Sequence, residues 1–64
     1  MPVVTIQMLA GRTHSQKAEL ARVVTEAVSS IAHANPESVV VVFEEVTRED
    51  YATGGTLLAD QPAH

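Results

Sequence analysis

The sequence predicts an α+β fold: a single β-α-β unit with parallel strands, a short C-terminal β-hairpin, and assembly into an oligomer. Three stretches carry that expectation. Residues 3–8, Val-Val-Thr-Ile-Gln-Met, alternate with a period of two. Residues 20–31 repeat their apolar side chains at helical spacing. Ser38–Phe43 holds an unbroken run of four β-branched valines ending in an aromatic. Strand, helix and strand fit within about forty residues, enough for one right-handed parallel crossover.

The first strand sets Val4, Ile6 and Met8 on one face and Val3, Thr5 and Gln7 on the other. Pro2 stands at its mouth, a position where a strand tolerates a residue without an N–H. Gly11 is the turn residue after it. Thr13-His14-Ser15-Gln16 then reads as a capping box, with Thr13 as N-cap and Gln16 reaching back.

In the helix, Leu20, Val23, Val24, Ala27, Val28 and Ile31 fall within one arc of about 140° at helical spacing. Glu19, Arg22, Glu26, Ser29 and Ser30 occupy the other side, with Arg22 and Glu26 an i,i+4 pair. Asn35-Pro36 drives the chain out of helical geometry, so the helix ends near His33.

The second strand, as a continuous apolar run, is expected to be covered on both faces. One helix covers only one face, so the other calls for a partner subunit. Gly54-Gly55 between short β-compatible stretches marks a hairpin. A hairpin that short is unstable alone and is expected to pack on a neighbour. Residues 58–64 are expected to form a loose tail of a single 1–64 domain.

Sixty-four residues bury only ~60% of their unfolded surface, so a chain of this size needs help from disulfides, metals or association. Cysteine is absent, which removes disulfides and thiolate ligands. With 45% of residues apolar, self-association is the remaining aid. Eight acids against four Lys or Arg, a net charge of −4, argue against nucleic acid, which needs a basic face. No stretch approaches the ~20 apolar residues of a membrane span, and the start lacks a signal peptide's regions, so the expected location is cytoplasmic.

His14 and His33 stand at opposite ends of the predicted helix, about 28 Å apart, so they share no ion within one chain. With His64 in the tail, no metal site is expected and the histidines read as surface residues. Glu44 and Glu45 are strand neighbours that point to opposite faces, so they form no dyad and read as solvated. Ser15, Ser29, Ser30 and Ser38 have no base beside them. Gly54-Gly55 lacks the lysine and helix start of a phosphate loop.

Pro2 and Arg12 remain. A small second residue lets an aminopeptidase remove Met1, which leaves Pro2 with a free secondary amine. Arg12 leaves the strand at its far end, so a symmetric oligomer is needed to bring an arginine near a proline.

Pro2, the strand, "LAGRT", "SQK" entering an amphipathic helix, a valine-rich strand and "Y-x-x-GG" together resemble the 4-oxalocrotonate tautomerase family over nearly the whole chain. The resemblance implies a tautomerase-like subunit, commonly in a hexamer, and a setting in the breakdown of aromatic compounds. It implies Pro2 as general base, moving a proton between carbon and oxygen of enol and keto acids. It implies Arg12 as the group that binds and polarises the substrate carboxylate and carbonyl. Tyr51 matches the family's aromatic before the double glycine. Val40 stands where the founding enzyme has a second functional arginine, and Arg48 is a distant substitute. Relatives lacking that arginine resemble tautomerases acting on monocarboxylate enols.

The chemistry suits such a site. A base taking a proton beside a carbonyl works best with a pKa near the working pH. A terminal amine starts at ~7.7–8.0. Apolar walls from Leu9, Val40 and Tyr51 and a nearby Arg12 cation would lower it. The expectation is a tautomerase of unsaturated 2-oxo acids that uses no metal or organic cofactor. Two alternatives stay open: proline-dependent hydration or dehalogenation of unsaturated acids, and a non-catalytic subunit of a heteromeric assembly.

Overall fold

The computed structural model describes residues 1–62; Ala63 and His64, the end of the expected tail, lie outside the described residues. Strand β1 (Val3–Leu9), helix α1 (His14–Ala32) and strand β2 (Val40–Val46) form the β-α-β unit. A hairpin of β3 (Ala52–Thr53) and β4 (Thr56–Leu57) closes it. The α+β architecture is the one the sequence predicts. Strands β1 and β2 pair in parallel from Val3↔Val40 to Leu9↔Val46, and β3 and β4 pair antiparallel.

Local chemistry sets the boundaries. Thr13 caps α1: its hydroxyl accepts from the Gln16 N–H, and the Gln16 side chain accepts from the Thr13 N–H at 2.9 Å. The helix stops at His33, which adopts left-handed φ 55° and sends its N–H to the Ser29 carbonyl. Pro36–Ser38 then form a 3-10 turn capped by Asn35. This turn corrects one boundary: the second strand starts at Val40, not Ser38, because the Ser38 N–H is bonded to the Asn35 carbonyl. Gly54 and Gly55 take φ 58° and 84°, two left-handed residues in succession, as a type I′ hairpin turn demands.

Residues 58–61, expected to be loose, are tied down. Leu58–Asp60 form a 3-10 turn, and the Arg48 guanidinium donates to the Leu58 carbonyl. The Gln61 amide donates to Thr53 Oγ1 and the Thr56 carbonyl, both at 3.0 Å. Backbone-directed side-chain bonds of this kind carry no periodic signal in a sequence.

The packing is one-sided. Val4, Ile6, Met8, Val41 and Phe43 are half-buried, as are Leu20, Val24 and Val28 of α1. The opposite sheet face carries Val3 at 57%, Val40 at 37% and Val42 at 38% exposure. On the helix, Val23 and Ile31 stand open at 45% and 79%, so only one edge of the predicted apolar arc meets the sheet. No described residue is fully buried. The radius of gyration is 15.1 Å, against about 11 Å for a compact chain of this length. An isolated chain therefore has no sealed core. Among the described residues, no helix is long and apolar enough to cross a membrane.

Candidate active site

The predicted site residues fall into two groups at opposite ends of the sheet. Pro2 and Val40 share one end: the Pro2 carbonyl accepts the Val40 N–H at 2.9 Å, and Val40 pairs with Val3. Pro2 is half-buried, and Met1 ahead of it is 88% exposed. At the other end, Leu9 pairs with Val46, and the Ala10 N–H extends the ladder by donating to the Val46 carbonyl at 2.8 Å. Leu9 and Tyr51 line one groove of about 240 Å³ with Gln7, Met8 and Val46.

Arg12 lies past Gly11, whose φ of 129° turns the chain from β1 toward α1. It borders a second groove of about 290 Å³ with Met8, Gln16, Lys17, Glu19 and Leu20. The seven residues of β1 separate this end from Pro2 by about 23 Å at strand rise. One chain therefore brings Pro2 to Val40 and Leu9 to Tyr51, and leaves Arg12 far from Pro2.

The charges sort just as sharply. Lys17 Nζ lies 3.1 Å from Glu45 Oε1, and both side chains are partly exposed. Glu45 thus faces the helix while Glu44, on the other face, accepts from the Gln7 amide at 3.4 Å. The two carboxylates form no dyad, though Glu45 is a bridging group and not simply solvated. Arg22 is clasped by Glu19 and Glu26. The hydrogen bond it donates to Glu19, then the charges of Glu19 and Glu26, raise the pKa of its guanidinium. Arg48, aimed at the Leu58 carbonyl, is a brace for the C-terminal turn. Among the described residues, no group of three His, Asp or Glu gathers where a metal ion could sit.

Sequence reading passed over Lys17 and Gln16 as neighbours of Arg12. The signal lay in the capping box: fixing the helix start at Thr13 also fixes which side chains of its first turn stand beside Arg12.

Comparison with known proteins gives the family. A family model described as tautomerase enzyme matches residues 2–61. A probable tautomerase of Bacillus cereus is 49% identical over 61 residues, covering 95% of this chain and 100% of the relative. The 2-hydroxymuconate tautomerase of Bacillus subtilis is 47% identical, over 94% of this chain and 97% of its own. The crystal structure of a 4-oxalocrotonate tautomerase homologue superposes with a TM-score of 0.93 at 36% identity, covering 98% of this chain and all of that one. A heterohexameric 4-oxalocrotonate tautomerase from Chloroflexus aurantiacus superposes at 0.87 with 32% identity, over 97% of this chain and 100% of its own. Matched along almost its whole length, the chain belongs to the tautomerase family and is an isomerase, a keto–enol tautomerase.

Proposed function

We propose that the protein interconverts enol and keto forms of unsaturated 2-oxo acids in a site assembled between subunits, with Pro2 as general base after removal of Met1. The observation that carries this reading is the separation of Pro2 and Arg12 along β1, about 23 Å at strand rise, in a chain whose family matches over residues 2–61. A base without an anion-holding group is a poor catalyst, so the two must come from different copies. The open valines of the sheet and helix supply the surface for that assembly.

In this mechanism the Arg12 guanidinium of a neighbouring subunit holds the substrate carboxylate and the adjacent oxygen. The Pro2 nitrogen takes the proton of the enol hydroxyl. The oxygen's electron pair closes to the carbonyl, and the displaced carbon–carbon π electrons take the proton back from Pro2 at carbon. No atom is gained or lost. Charge passing through the oxygen is stabilised by the same guanidinium. Val40 of the same chain, with Leu9 and Tyr51 of a neighbouring subunit, walls the amine with apolar surface, which disfavours its protonated form. The strong exposure of Met1 leaves it open to an aminopeptidase.

The assembly is proposed to be a hexamer, six times the 6.8 kDa chain. Substrate is proposed by analogy with the Bacillus subtilis relative, whose name specifies 2-hydroxymuconate. The deciding experiment pairs intact mass with an ultraviolet enol-to-keto assay on 2-hydroxymuconate and phenylenolpyruvate. Loss of Met1, with Pro2→Ala lowering turnover by at least about 10²-fold, is the expected result. Full activity in a protein that retains Met1 would sink the proposal, because an amide nitrogen is no base.

A further inference from the structure

We infer that Arg48 is a positioning residue: it clamps the C-terminal hairpin so that Tyr51 stays against the site, and it acts on the Pro2 amine only through Tyr51. This rests on the reading above of Pro2 as base and Tyr51 as part of its apolar wall. It gives Arg48 a task other than standing in for a substrate-binding arginine.

Tyr51 has little of its own to hold it. It stands between the 3-10 turn Arg48–Asp50 and strand β3, and it is 43% exposed. The hairpin it opens has two ladder pairs, Ala52↔Leu57 and Thr53↔Thr56, too few to be stable alone. Yet Tyr51 lines one groove with Leu9 and Val46, at the far end of the sheet from Pro2 of its own chain.

The contacts around Tyr51 close a ring. The Leu58 N–H donates to the Tyr51 carbonyl at 2.8 Å, one rung beyond the hairpin ladder. The Leu58 carbonyl in turn accepts from the Arg48 guanidinium, and from the Gln61 N–H at 3.0 Å. Arg48 precedes Tyr51 and Leu58 follows the hairpin, so one bond ties both ends of the segment that carries Tyr51. Because its donor is charged, that bond is about twice as strong as a neutral one.

The choice of partner supports a clamp. Glu49 and Asp50 follow Arg48 directly, but among the described residues Arg48 pairs with no carboxylate. Asp50 accepts instead from the Thr47 hydroxyl at 2.8 Å. The guanidinium is committed to a carbonyl ten residues away. Without it the hairpin turns on two rungs, Tyr51 leaves the amine, and water favours the protonated form again.

The test is a double-mutant cycle of Arg48→Met and Tyr51→Ala, read as the pH midpoint of kcat/KM for 2-hydroxymuconate on the assembled protein. Arg48→Met keeps an apolar stem and removes the donors. Alone, it should raise the midpoint by at least about half a unit, toward the terminal-amine value of ~7.7–8.0. With Tyr51→Ala already present it should add less than about 0.2 units. A direct field of the Arg48 charge on the amine shifts both backgrounds alike and overturns the inference. So does an unmoved midpoint in Arg48→Met where Tyr51→Ala raises it, and that outcome leaves the apolar wall standing. If Arg48→Met does not assemble, Arg48→Gln is read by the same criteria. An unmoved midpoint in Tyr51→Ala overturns the wall and this inference together, and turnover retained in Pro2→Ala overturns the proline base and this inference with it.

Discussion

Among the described residues, Arg12 carries the one guanidinium without an ion pair or hydrogen bond, and in the proposed mechanism it holds the substrate, so its replacement should be felt at once. We expect Arg12→Ala to lower kcat/KM by about 10²–10³-fold, the cost of losing a pre-oriented donor to a developing oxyanion. Arg12→Lys should recover only part of it, since an ammonium cannot clamp a carboxylate bidentately; steady-state kinetics on the folded variants decides. Pro2 predicts a pH dependence. In the proposed mechanism the protonated amine is inactive, so kcat/KM should rise with pH through the amine pKa and level off above it. The proposed apolar walls should place that midpoint below the ordinary terminal-amine value of ~7.7–8.0. A rate that falls as pH rises through this range contradicts a free-amine base. Both residues stand out in the sequence because each sits in a recognisable local context, a strand mouth and a Gly-Arg turn. Their separation was legible too, from strand length alone. What Lys17 and Arg48 bond to was not, because those partners lie 28 and 10 residues away and nothing local selects them.

The elements have signals of uneven strength. Thr13-x-x-Gln16 and Asn35-Pro36 bracket α1 almost to the residue because capping and pre-proline sterics act over three or four positions. Thr13→Ala should cost about 1 kcal/mol. At fixed protein concentration that lowers Tm by about 4–8 °C in a domain of this size. His33 holds a left-handed φ of 55° that strains any side chain, and His33→Gly should stabilise by about 0.5–1 kcal/mol. Calorimetry checks both changes, which have opposite signs at the two ends of one helix. The start of β2 was misplaced for an instructive reason. Val39 extends the β-branched run and Ser38 directly precedes it, but the Asn35 and Pro36 carbonyls engage the Ser38 and Val39 N–H groups first. The 3-10 turn at Leu58–Asp60 was missed because its supports, Arg48 and Gln61, bond to carbonyls that every residue offers equally.

At the scale of the molecule, the 43 × 23 × 14 Å extents describe a slab one sheet and one helix deep, with Val3, Val40 and Val42 exposed on the sheet and Val23 and Ile31 exposed on the helix. Stability and activity should therefore share a dependence on protein concentration. Val42→Glu or Ile31→Glu places a charge where apolar area is to be covered, and sedimentation should show species smaller than the wild type with activity lost in parallel. Undiminished mass in both variants would mean that these faces stay open in the assembly. The distance between Pro2 and Arg12 has a genetic counterpart. Two chains, each inactive alone, one Pro2→Ala and the other Arg12→Ala, should rescue one another when unfolded together and refolded as a mixture. Random co-assembly of equal parts gives about a quarter of the sites an intact proline from one parent and an intact arginine from the other.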